Sequence, residues 1–554
     1  MKFTKTGLAG AFALVAAGSM AHALEEIVTE DITTDTVWTS DNTYNLQGQI
    51  YVKPGASLTI EAGTVVASTP TENGSGSLAV CRGAQIFVNG TATAPVIMTS
   101  TNDDMVNWRE ACNEWGNLTI MGNGYIGFNE GDASDSGFAG NSTQMEGLTA
   151  AFPGDPDVVY GGTDDDDDSG SISYLNLRYG GRVVGLTNEL NGLSLGALGR
   201  ATDISNVEIM NNVDDGIEIW GGTVNIKNAS IWNIGDDSVD LDQGYRGQMQ
   251  NILIVQGFST DDSQGSGVGD NGFEHDGAEN SDAQPRTRGC IYNATFIGQP
   301  DGDGATAWRD GAGMQYRNCI FMDCGEKVVR PDNIDGDGAQ GYGHNGTATF
   351  AELWNTPATT LPAVNSVKDA ALRYTAQMTD GNVCEMRGSV FFNNANYDEA
   401  DARGVFDAGN NNVKEPSVQP IVEIVRETPV IRGGKVMARV SFLDPRASGD
   451  AAGLLDATAP DNGFFAQQAY SGAFAESGNW LCGWSTSSMF GMMECETTTP
   501  CPADIDGDGV VGGGDLARLL NAWEGADPEA DIDQDGVVGG ADLTLLLSAW
   551  GDCE

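Results

Sequence analysis

The 554-residue sequence predicts a mainly β protein, a parallel β-helix solenoid, followed by a small α-helical module at the C-terminus. Two observations predict the solenoid: a unit of 22 residues repeats along the chain, and 75 glycines mark frequent turns between short apolar stretches. A third observation predicts the C-terminal module. Two aspartate-rich loops lie 27 residues apart there, and each is followed by an apolar helix pattern.

The repeat is clearest in two consecutive units. ISNVEIMNNVDDGIEI, from Ile204, aligns at every position with IKNASIWNIGDDSVDL, from Ile226. A third copy starts at Asn251, is interrupted by an insertion, and resumes at Asp270. Each coil should therefore stack its strands on those of the next coil, about 4.8 Å away, with Ile, Val, Leu and Phe inside. Asn206, Asn228 and Asn251 should lie one above another.

Several stretches are similar to a known class of solenoid. VKPGASLTIEAGTVV from Val52, WGNLTIMGNG from Trp115 and NELNGLSLGALG from Asn188 resemble the coils of right-handed parallel β-helix proteins from bacterial exteriors. The resemblance implies a right-handed parallel β-helix over residues 24–495, with insertions near 130–170, 331–385 and 398–470. It implies closure of the solenoid by AYSGAFAESGNWLCGW, from Ala469. It implies no agreed activity.

Residues 1–23 have the pattern of a secretory signal peptide. Lys2 and Lys5 precede an apolar run from Leu8 to Ala17, and Ala21-His22-Ala23 forms a small-residue cleavage site. The run is too short to cross a bilayer, and no later segment is long and apolar enough to do so. We therefore expect an extracellular protein without a transmembrane segment.

The net charge limits the partners. A formal charge of −52 argues against nucleic-acid binding, which requires a basic surface. It suits a protein that is soluble in salt or that binds divalent cations. It would repel a polyanionic polysaccharide unless cations bridge the two.

The stacked aspartates raise a question of charge. If the repeat register holds, Asp214 lies under Asp236 and Asp215 under Asp237, and two carboxylates ~4.8 Å apart repel by roughly 3–4 kcal/mol at an effective dielectric near 20. Three compensations are open: hydrogen bonds from turn amides, a cation bound among Asp214, Asp236 and Asp270, or a shared proton in a catalytic acid pair.

The catalytic interpretation takes Asp214, Asp215, Asp236, Asp237 and Arg246 as candidate catalytic residues. Gly235-Asp236-Asp237 is similar to the G-D-D motif of polygalacturonases, in which one carboxyl protonates the leaving oxygen and another activates water. The Gly-His-Gly and Arg-Ile-Lys elements of that family are absent. Calcium-dependent lyases of this fold use an Arg or Lys base, for which Arg246 and Lys227 are candidates. The aromatic residues Trp220, Trp232 and Tyr245 either stack on sugars or pack in turns.

The two C-terminal loops, after a linker at 496–500, have the ligand spacing of calcium loops, with a glycine at the sixth position. The predicted ligands are Asp504, Asp506, Asp508, Val510 and Asp515 in the first loop and Asp531, Asp533, Asp535, Val537 and Asp542 in the second. The valines would offer backbone carbonyls.

The module at 501–554 resembles the duplicated calcium loops of dockerin domains. The resemblance implies calcium as cofactor and docking to a cohesin-like partner. Gly513, Gly514, Gly540 and Ala541 stand where that family carries polar recognition residues, so a sorting or cell-surface attachment signal is the alternative.

The ten cysteines of an exported chain predict disulfides. The plausible pairs by position are Cys482–Cys495, Cys501–Cys553 and Cys81–Cys112.

These patterns support a secreted, calcium-binding β-helix protein at the cell surface or on a scaffold, with a binding or structural role toward polysaccharide. The alternative is a polysaccharide hydrolase or lyase that uses the aspartate-rich coil face. A surface-layer component without a ligand is the third hypothesis.

Overall fold

The computed structural model describes most of the chain between Leu24 and Asp552. The described residues are 24–70, 76–127, 141–185, 188–258, 269–277, 285–309, 311–331, 349–359, 380–432, 434–495, 502–505, 510–523, 525, 527, 530–533 and 536–552. The predicted signal peptide and the 496–500 linker lie outside them. The chain divides into two units, 1–493 and 494–554. Among the described helices, none has the length and hydropathy needed to span a membrane.

Two parallel sheets form the first unit, and their strands are numbered in chain order. Within the described residues, the nine-stranded sheet contains β4 (Gln49–Val52), β7 (Ser77–Val80), β10 (Leu118–Met121), β16 (Leu193–Gly196), β18 (Ile217–Trp220), β20 (Val239–Asp242), β22 (Phe273–His275), β24 (Thr306–Trp308) and β27 (Val329–Pro331). The seventeen-stranded sheet of the same described part contains β1 (Leu24–Val28), β2 (Thr36–Trp38), β3 (Asn42–Leu46), β5 (Ser57–Glu61), β6 (Val65–Ser68), β8 (Gln85–Asn89), β9 (Val96–Ser100), β13 (Gly170–Arg178), β17 (Asp203–Met210), β19 (Asn225–Trp232), β21 (Gln248–Val255), β23 (Arg288–Ile297), β25 (Gly313–Arg317), β26 (Ile320–Met322), β28 (Glu385–Arg387), β29 (Val390–Phe392) and β30 (Val413–Lys414).

The register of these strands confirms the repeat. Ile204 pairs with Ile226 in the seventeen-stranded sheet, and Ile217 pairs with Val239 in the nine-stranded sheet. Val239 in turn pairs with Phe273, so the third copy returns to register after its insertion. Successive coils therefore stack strand on strand, which makes the unit a parallel β-helix.

An asparagine ladder bends the long strands β17, β19 and β21. Asn206 and Asn228 have φ of 55° and 59°, and pairing is interrupted at these residues. The Nδ2 of Asn228 donates to Oδ1 of Asn206 at 3.0 Å, and the Nδ2 of Asn251 donates to Oδ1 of Asn228 at 2.8 Å. Asparagine tolerates this left-handed conformation better than most residues. The predicted stacking of the three asparagines is confirmed, and the bend gives each coil a third face.

The core runs along the solenoid axis. Ile209, Ile219, Ile231 and Leu241 are buried in one continuous apolar cluster. They alternate along their strands with residues that face outward, as the two-residue period of a strand requires.

Smaller elements surround the solenoid. The antiparallel strand pairs are β11 (Thr143–Gln144) with β12 (Val159–Tyr160), β14 (Val183–Gly185) with β15 (Asn188–Glu189), β31 (Ile421–Arg426) with β34 (Val440–Ala447), and β32 (Val430–Arg432) with β33 (Lys435–Met437). In the described part of the first unit, the helices are α1 (Phe350–Leu353), α2 (Asp398–Ala402) and α3 (Thr486–Met489), with 3₁₀ turns at Pro156–Val158, Ala408–Asn410 and Gly449–Ala452.

The segment from Ala469 differs from its predicted role as a closing coil. It adds no strand to either sheet in the described residues and instead packs on the outside of the seventeen-stranded sheet. The Nδ2 of Asn176 donates to the carbonyl of Trp484 at 2.8 Å, and Glu208 accepts from the Ser487 amide at 2.8 Å. Outward polar residues of the sheet thus hold this segment.

The cysteine predictions have different outcomes. The Cys482–Cys495 disulfide is confirmed. The Cys81–Cys112 pairing is wrong: both are buried thiols, and the Sγ of Cys81 instead donates to the carbonyl of Asp157 at 3.4 Å. Cys501 and Cys553 lie outside the described residues.

The described residues of the second unit form two helices and a short strand pair. They are α4 (Gly513–Asn521), α5 (Gly540–Ser548), β35 (Val510–Val511) and β36 (Gly551–Asp552). Leu519, Leu546, Val511 and Val538 form its small apolar core.

Candidate acidic site

The stacked aspartates occupy the turns that precede three consecutive strands of the nine-stranded sheet, β18, β20 and β22. We call Asp214, Asp236 and Asp270 the turn column. The backbone N–H of Asp270 donates to the carbonyl of Asp236 at 2.9 Å, so the two residues lie on adjacent coils. Oδ1 of Asp236 is buried and has no hydrogen-bond partner among the described residues.

The second aspartate of each turn has a different environment. Asp215 accepts the backbone N–H of Asp237 at 2.9 Å, and Asp237 accepts the backbone N–H of Asn271. Turn amides therefore satisfy this inner row, as one of the three predicted compensations requires. They do not satisfy Oδ1 of Asp236 in the turn column.

A further acidic row lies on the strands themselves. Glu218 pairs with Asp240, and Asp240 pairs with Glu274, on consecutive strands β18, β20 and β22. These residues face outward because their neighbours Ile217 and Ile219 lie in the core. This row was not among the site residues predicted from the sequence, although the repeat aligns Glu218 with Asp240.

The carboxyl oxygens of these rows are close together. Three groups each bring their oxygens within 4.8 Å of one another: Asp214, Asp215 and Asp236; Asp215, Glu218 and Asp240; and Asp236, Asp237 and Asp270. Because hard oxygens at such distances are typical of calcium ligands, the residues present fit a divalent cation.

Burial and mutual repulsion raise the pKa values of the carboxyl groups on this face. Burial raises the pKa of Asp237 to about 6. Burial and the Asp237 carboxylate raise the pKa of Asp240 to about 7, and burial, Asp237 and Asp303 raise that of Asp270 to about 7. For Asp236, burial and the neighbouring Asp237 raise the pKa well above its usual value.

Two arginines that the repeat does not predict lie beside these carboxylates. Arg309 forms an ion pair with Glu274, and Nη1 of Arg330 lies 3.1 Å from Oδ1 of Asp270. Both come from later coils, where the repeat is too irregular to predict their place. Their positive charges lower the pKa of Asp270 against the raising effect of burial.

Arg246, the predicted base, lies in a different interaction. Its buried guanidinium forms an ion pair with Asp165, in which Nη2 donates to Oδ1 at 2.8 Å, and it also donates to the carbonyl of Tyr125 at 3.1 Å. The structure therefore gives Arg246 a role in attaching the run of five aspartates at 164–168 to the solenoid. It brings together the other four predicted catalytic residues, Asp214, Asp215, Asp236 and Asp237.

The aromatic residues near this face are packed. Trp220 is 4% exposed and its ring lies 6.1 Å from that of Tyr160, while Trp232 and Tyr245 are fully buried. Of the two predicted alternatives for these rings, the structure supports packing.

The second C-terminal loop has the convergent geometry that its spacing predicts. Carboxyl oxygens of Asp531, Asp533 and Asp542 lie within 4.8 Å of one another. Gly536, at the sixth position, has φ of 92°, which an L side chain rarely adopts. Asp542 accepts the backbone N–H of Asp533 at 3.0 Å. Asp535 lies outside the described residues, and Val537 is exposed.

The first loop is described only in part. Asp506 and Asp508 lie outside the described residues, so the convergence of this loop stays a prediction. Asp515 is buried and accepts the backbone N–H of Gly512 at 2.7 Å, as Asp542 does from Gly539 in the second loop. Asp504 and Val510 are the other predicted ligands of this loop that the structure describes.

The stacked coils and their outward acidic rows define the class of this molecule: a parallel β-helix protein with a carboxylate-rich face. Residues 30–388 match the model of the pectate-lyase-like β-helix domain family. Since this match covers more than half of the chain, the protein belongs to that family. No curated protein and no solved structure matches the chain.

Proposed function

We propose that this protein is an extracellular, calcium-binding β-helix protein that binds an acidic polysaccharide through cations on its turn column. The observation that carries this proposal is the stack of Asp214, Asp236 and Asp270, in which a buried oxygen of Asp236 has no partner among the described residues. Membership of a pectate-lyase-like family supports a role with polysaccharide.

Calcium suits the turn column for two chemical reasons. Its carboxylates are hard ligands that come from successive coils, and the flexible coordination of calcium accepts such a set. A chain with a formal charge of −52 also needs cations between itself and an acidic glycan. The cation would both relieve the repulsion within the column and offer open coordination positions to glycan carboxylates.

The C-terminal module would attach the protein to its site of action. Its second loop gathers Asp531, Asp533 and Asp542, and this supports one calcium there and, by the duplication, one in the first loop. The ordered helices would then present a surface to a cohesin-like or other cell-surface partner.

The test is retention of the full-length protein on immobilised acidic glycans in about 1 mM calcium, the range in which extracellular calcium modules are occupied. We expect retention that EGTA abolishes and that Asp236→Asn lowers about tenfold, or ~1.4 kcal/mol. Asp203→Asn, an exposed position on the same solenoid, is the matched control and should bind normally. Retention that survives EGTA, or an unaffected Asp236→Asn, contradicts the proposal.

The same face supports a second candidate, a polysaccharide hydrolase or lyase. The specific observation is that Asp240 and Asp270 have pKa values of about 7, in the range useful for a general acid, with Arg309 and Arg330 beside the rows. Release of reducing ends or of unsaturated products from a panel of acidic glycans tests it. Activity that Asp236→Asn and Asp237→Asn abolish would support an enzyme over a binding protein.

A further inference from the structure

The first coil of the solenoid, residues 24–41, has one unpaired side. It consists of β1, the bridge of Ile32 to Val52, and β2, and each of these pairs with the second coil, which contains β3 to β5. On the opposite side, no strand of the described residues pairs with β1 or β2. The stacking of the coils therefore ends at an open edge, to which a further strand can add.

The backbone of β1 identifies the groups on this edge. The N–H of Leu24 and the carbonyl of Val28 bond to the second coil, at 3.3 and 2.9 Å. Alternate residues of a parallel strand bond to the same neighbour. Glu25 and Ile27, which alternate with these residues, therefore direct their N–H and C=O groups to the open edge.

The exposed side chains of this coil are apolar or acidic. Leu24, Ile27 and Val37 are 75%, 53% and 54% exposed, so an apolar partner has surface to cover. One cation of the second coil, Lys53, lies 3.5 Å from Asp31. The first coil itself has no lysine or arginine, and its six carboxylates are all exposed: Glu25, Glu26, Glu30, Asp31, Asp35 and Asp41.

The edge is held in a fixed shape. The ring of Trp38 stacks on that of Tyr44 with their centroids 4.7 Å apart, and both side chains are buried. The hydroxyl of Tyr44 accepts the N–H of Thr39 at 2.9 Å. The core therefore closes at this coil, and a docked strand would not have to order the coil first.

The composition of β1 selects among occupants. Exposed strand edges are commonly blunted by lysine, proline or a bulge. None of these is present in β1, which pairs with β3 over five residues without a register shift. If two copies shared this edge, Glu25 and Glu26 of each would lie beside those of the other, so a second copy is repelled. The same glutamates attract a strand that carries lysine or arginine.

We infer that β1 is a docking edge for a basic, extended segment of another protein, which adds to it as a parallel strand. In the register of the other coils, the segment places apolar residues against Leu24, Ile27 and Val28, and lysine or arginine against Glu25 and Glu26. Main-chain hydrogen bonds supply affinity, and the two charge pairs supply specificity. The inference depends neither on the proposed glycan binding nor on calcium.

The experiment titrates the full-length protein into fluorescent peptides and measures their anisotropy. The first peptide has the sequence of β1 with lysine in place of both glutamates. The second has the unchanged sequence of β1 and stands for the edge of a second copy. The third is the lysine peptide with N-methyl groups on alternate backbone nitrogens, which keeps every charge but cannot complete the pairing. The fourth is the lysine peptide in scrambled order.

We expect the lysine peptide to bind at least about tenfold more tightly than the other three, and its affinity to fall as salt rises. A variant with both Glu25→Gln and Glu26→Gln should bind it about tenfold less tightly. Ile27→Pro removes an N–H that faces the open edge, so it should lose binding and still melt with the wild type. Asp203→Asn is the control and should bind normally.

Three results would overturn the docking edge. One is a lysine peptide that does not bind, or that binds no better than the glutamate peptide. Another is undiminished binding of the N-methyl or the scrambled peptide, which would reduce the effect to charge alone. The third is a dimer in sedimentation that Ile27→Pro abolishes, which would assign the edge to a second copy. The peptide comparison uses only the wild type, so it decides the question even if a variant fails to fold.

Discussion

Adjacent aspartates in one turn of this protein have different partners. Asp237 accepts a backbone N–H from the next coil, whereas Oδ1 of its neighbour Asp236 is buried without a partner. The sequence predicted that both would stack on their counterparts 22 residues earlier, and they do. It could not distinguish their roles, because the direction of each carboxylate depends on turn geometry that residue type does not encode.

Removing these two side chains should therefore have opposite effects in EGTA. Asp237→Ala leaves the buried N–H of Asn271 without its acceptor and should lower the free energy of unfolding by about 1–3 kcal/mol. Asp236→Ala removes a repelling charge and should leave that free energy unchanged or raise it. Urea unfolding followed by circular dichroism measures both. Equal destabilisation by the two variants would contradict the difference in their partners.

The raised pKa values predict how the stability of the fold depends on pH when calcium is absent. Asp237, Asp240 and Asp270 have pKa values of about 6 to 7 in the folded protein against a usual 3.8. The folded state therefore holds protons that the unfolded state has released, and stability falls as pH rises from about 4 to about 7. Urea unfolding in EGTA across this range should show the fall, and excess calcium should reduce it. A stability that rises over this range in EGTA would be inconsistent with the raised pKa values.

At the scale of elements, the asparagine ladder was the most predictable feature. Asparagine recurred at the repeat interval, and the structure places it at the bends of β17, β19 and β21 with side-chain hydrogen bonds between coils. The outer segment around Trp484 was not predictable. Its partner Asn176 lies 308 residues away, and neither residue belongs to a pattern that would pair them.

The ladder gives a prediction that separates conformation from hydrogen bonding. Asn228→Gly keeps access to φ of 59° and loses the ladder bonds, whereas Asn228→Ala loses both. We expect alanine to be less stable than glycine by about 1 kcal/mol, the cost of a left-handed residue with a Cβ. Chemical unfolding of the two variants gives the difference directly. An alanine variant that is as stable as the glycine variant would rule out this conformational cost.

The whole molecule consists of two units that the sequence predicted by different signals. The solenoid followed from a repeat, and the C-terminal unit followed from ligand spacing around Gly509 and Gly536. The positions of Arg246 and Arg309 did not follow from either signal. Each arginine pairs with an acidic residue on another coil or insertion, so its place depends on the assembled solenoid.

Calcium removal should affect the second unit first. Its helices α4 and α5 rest on a small core and on carboxylates that repel one another without a cation. We expect EGTA to open residues 513–548 to limited proteolysis in the full chain, and added calcium to restore protection. Fragment masses identify the cleavage sites. Protection that is the same with and without calcium would contradict metal-dependent folding of this unit.

The insertion in the third repeat has a practical consequence for engineering. Gly257 and Gly269 enclose it, yet Asp270 returns to its place above Asp236 and the next strand pairs normally. The coils therefore resume their register after this insertion. A designer could keep the buried Phe258 and exchange the chain between it and Gly269 for one of another length, which would change the surface beside the carboxylates.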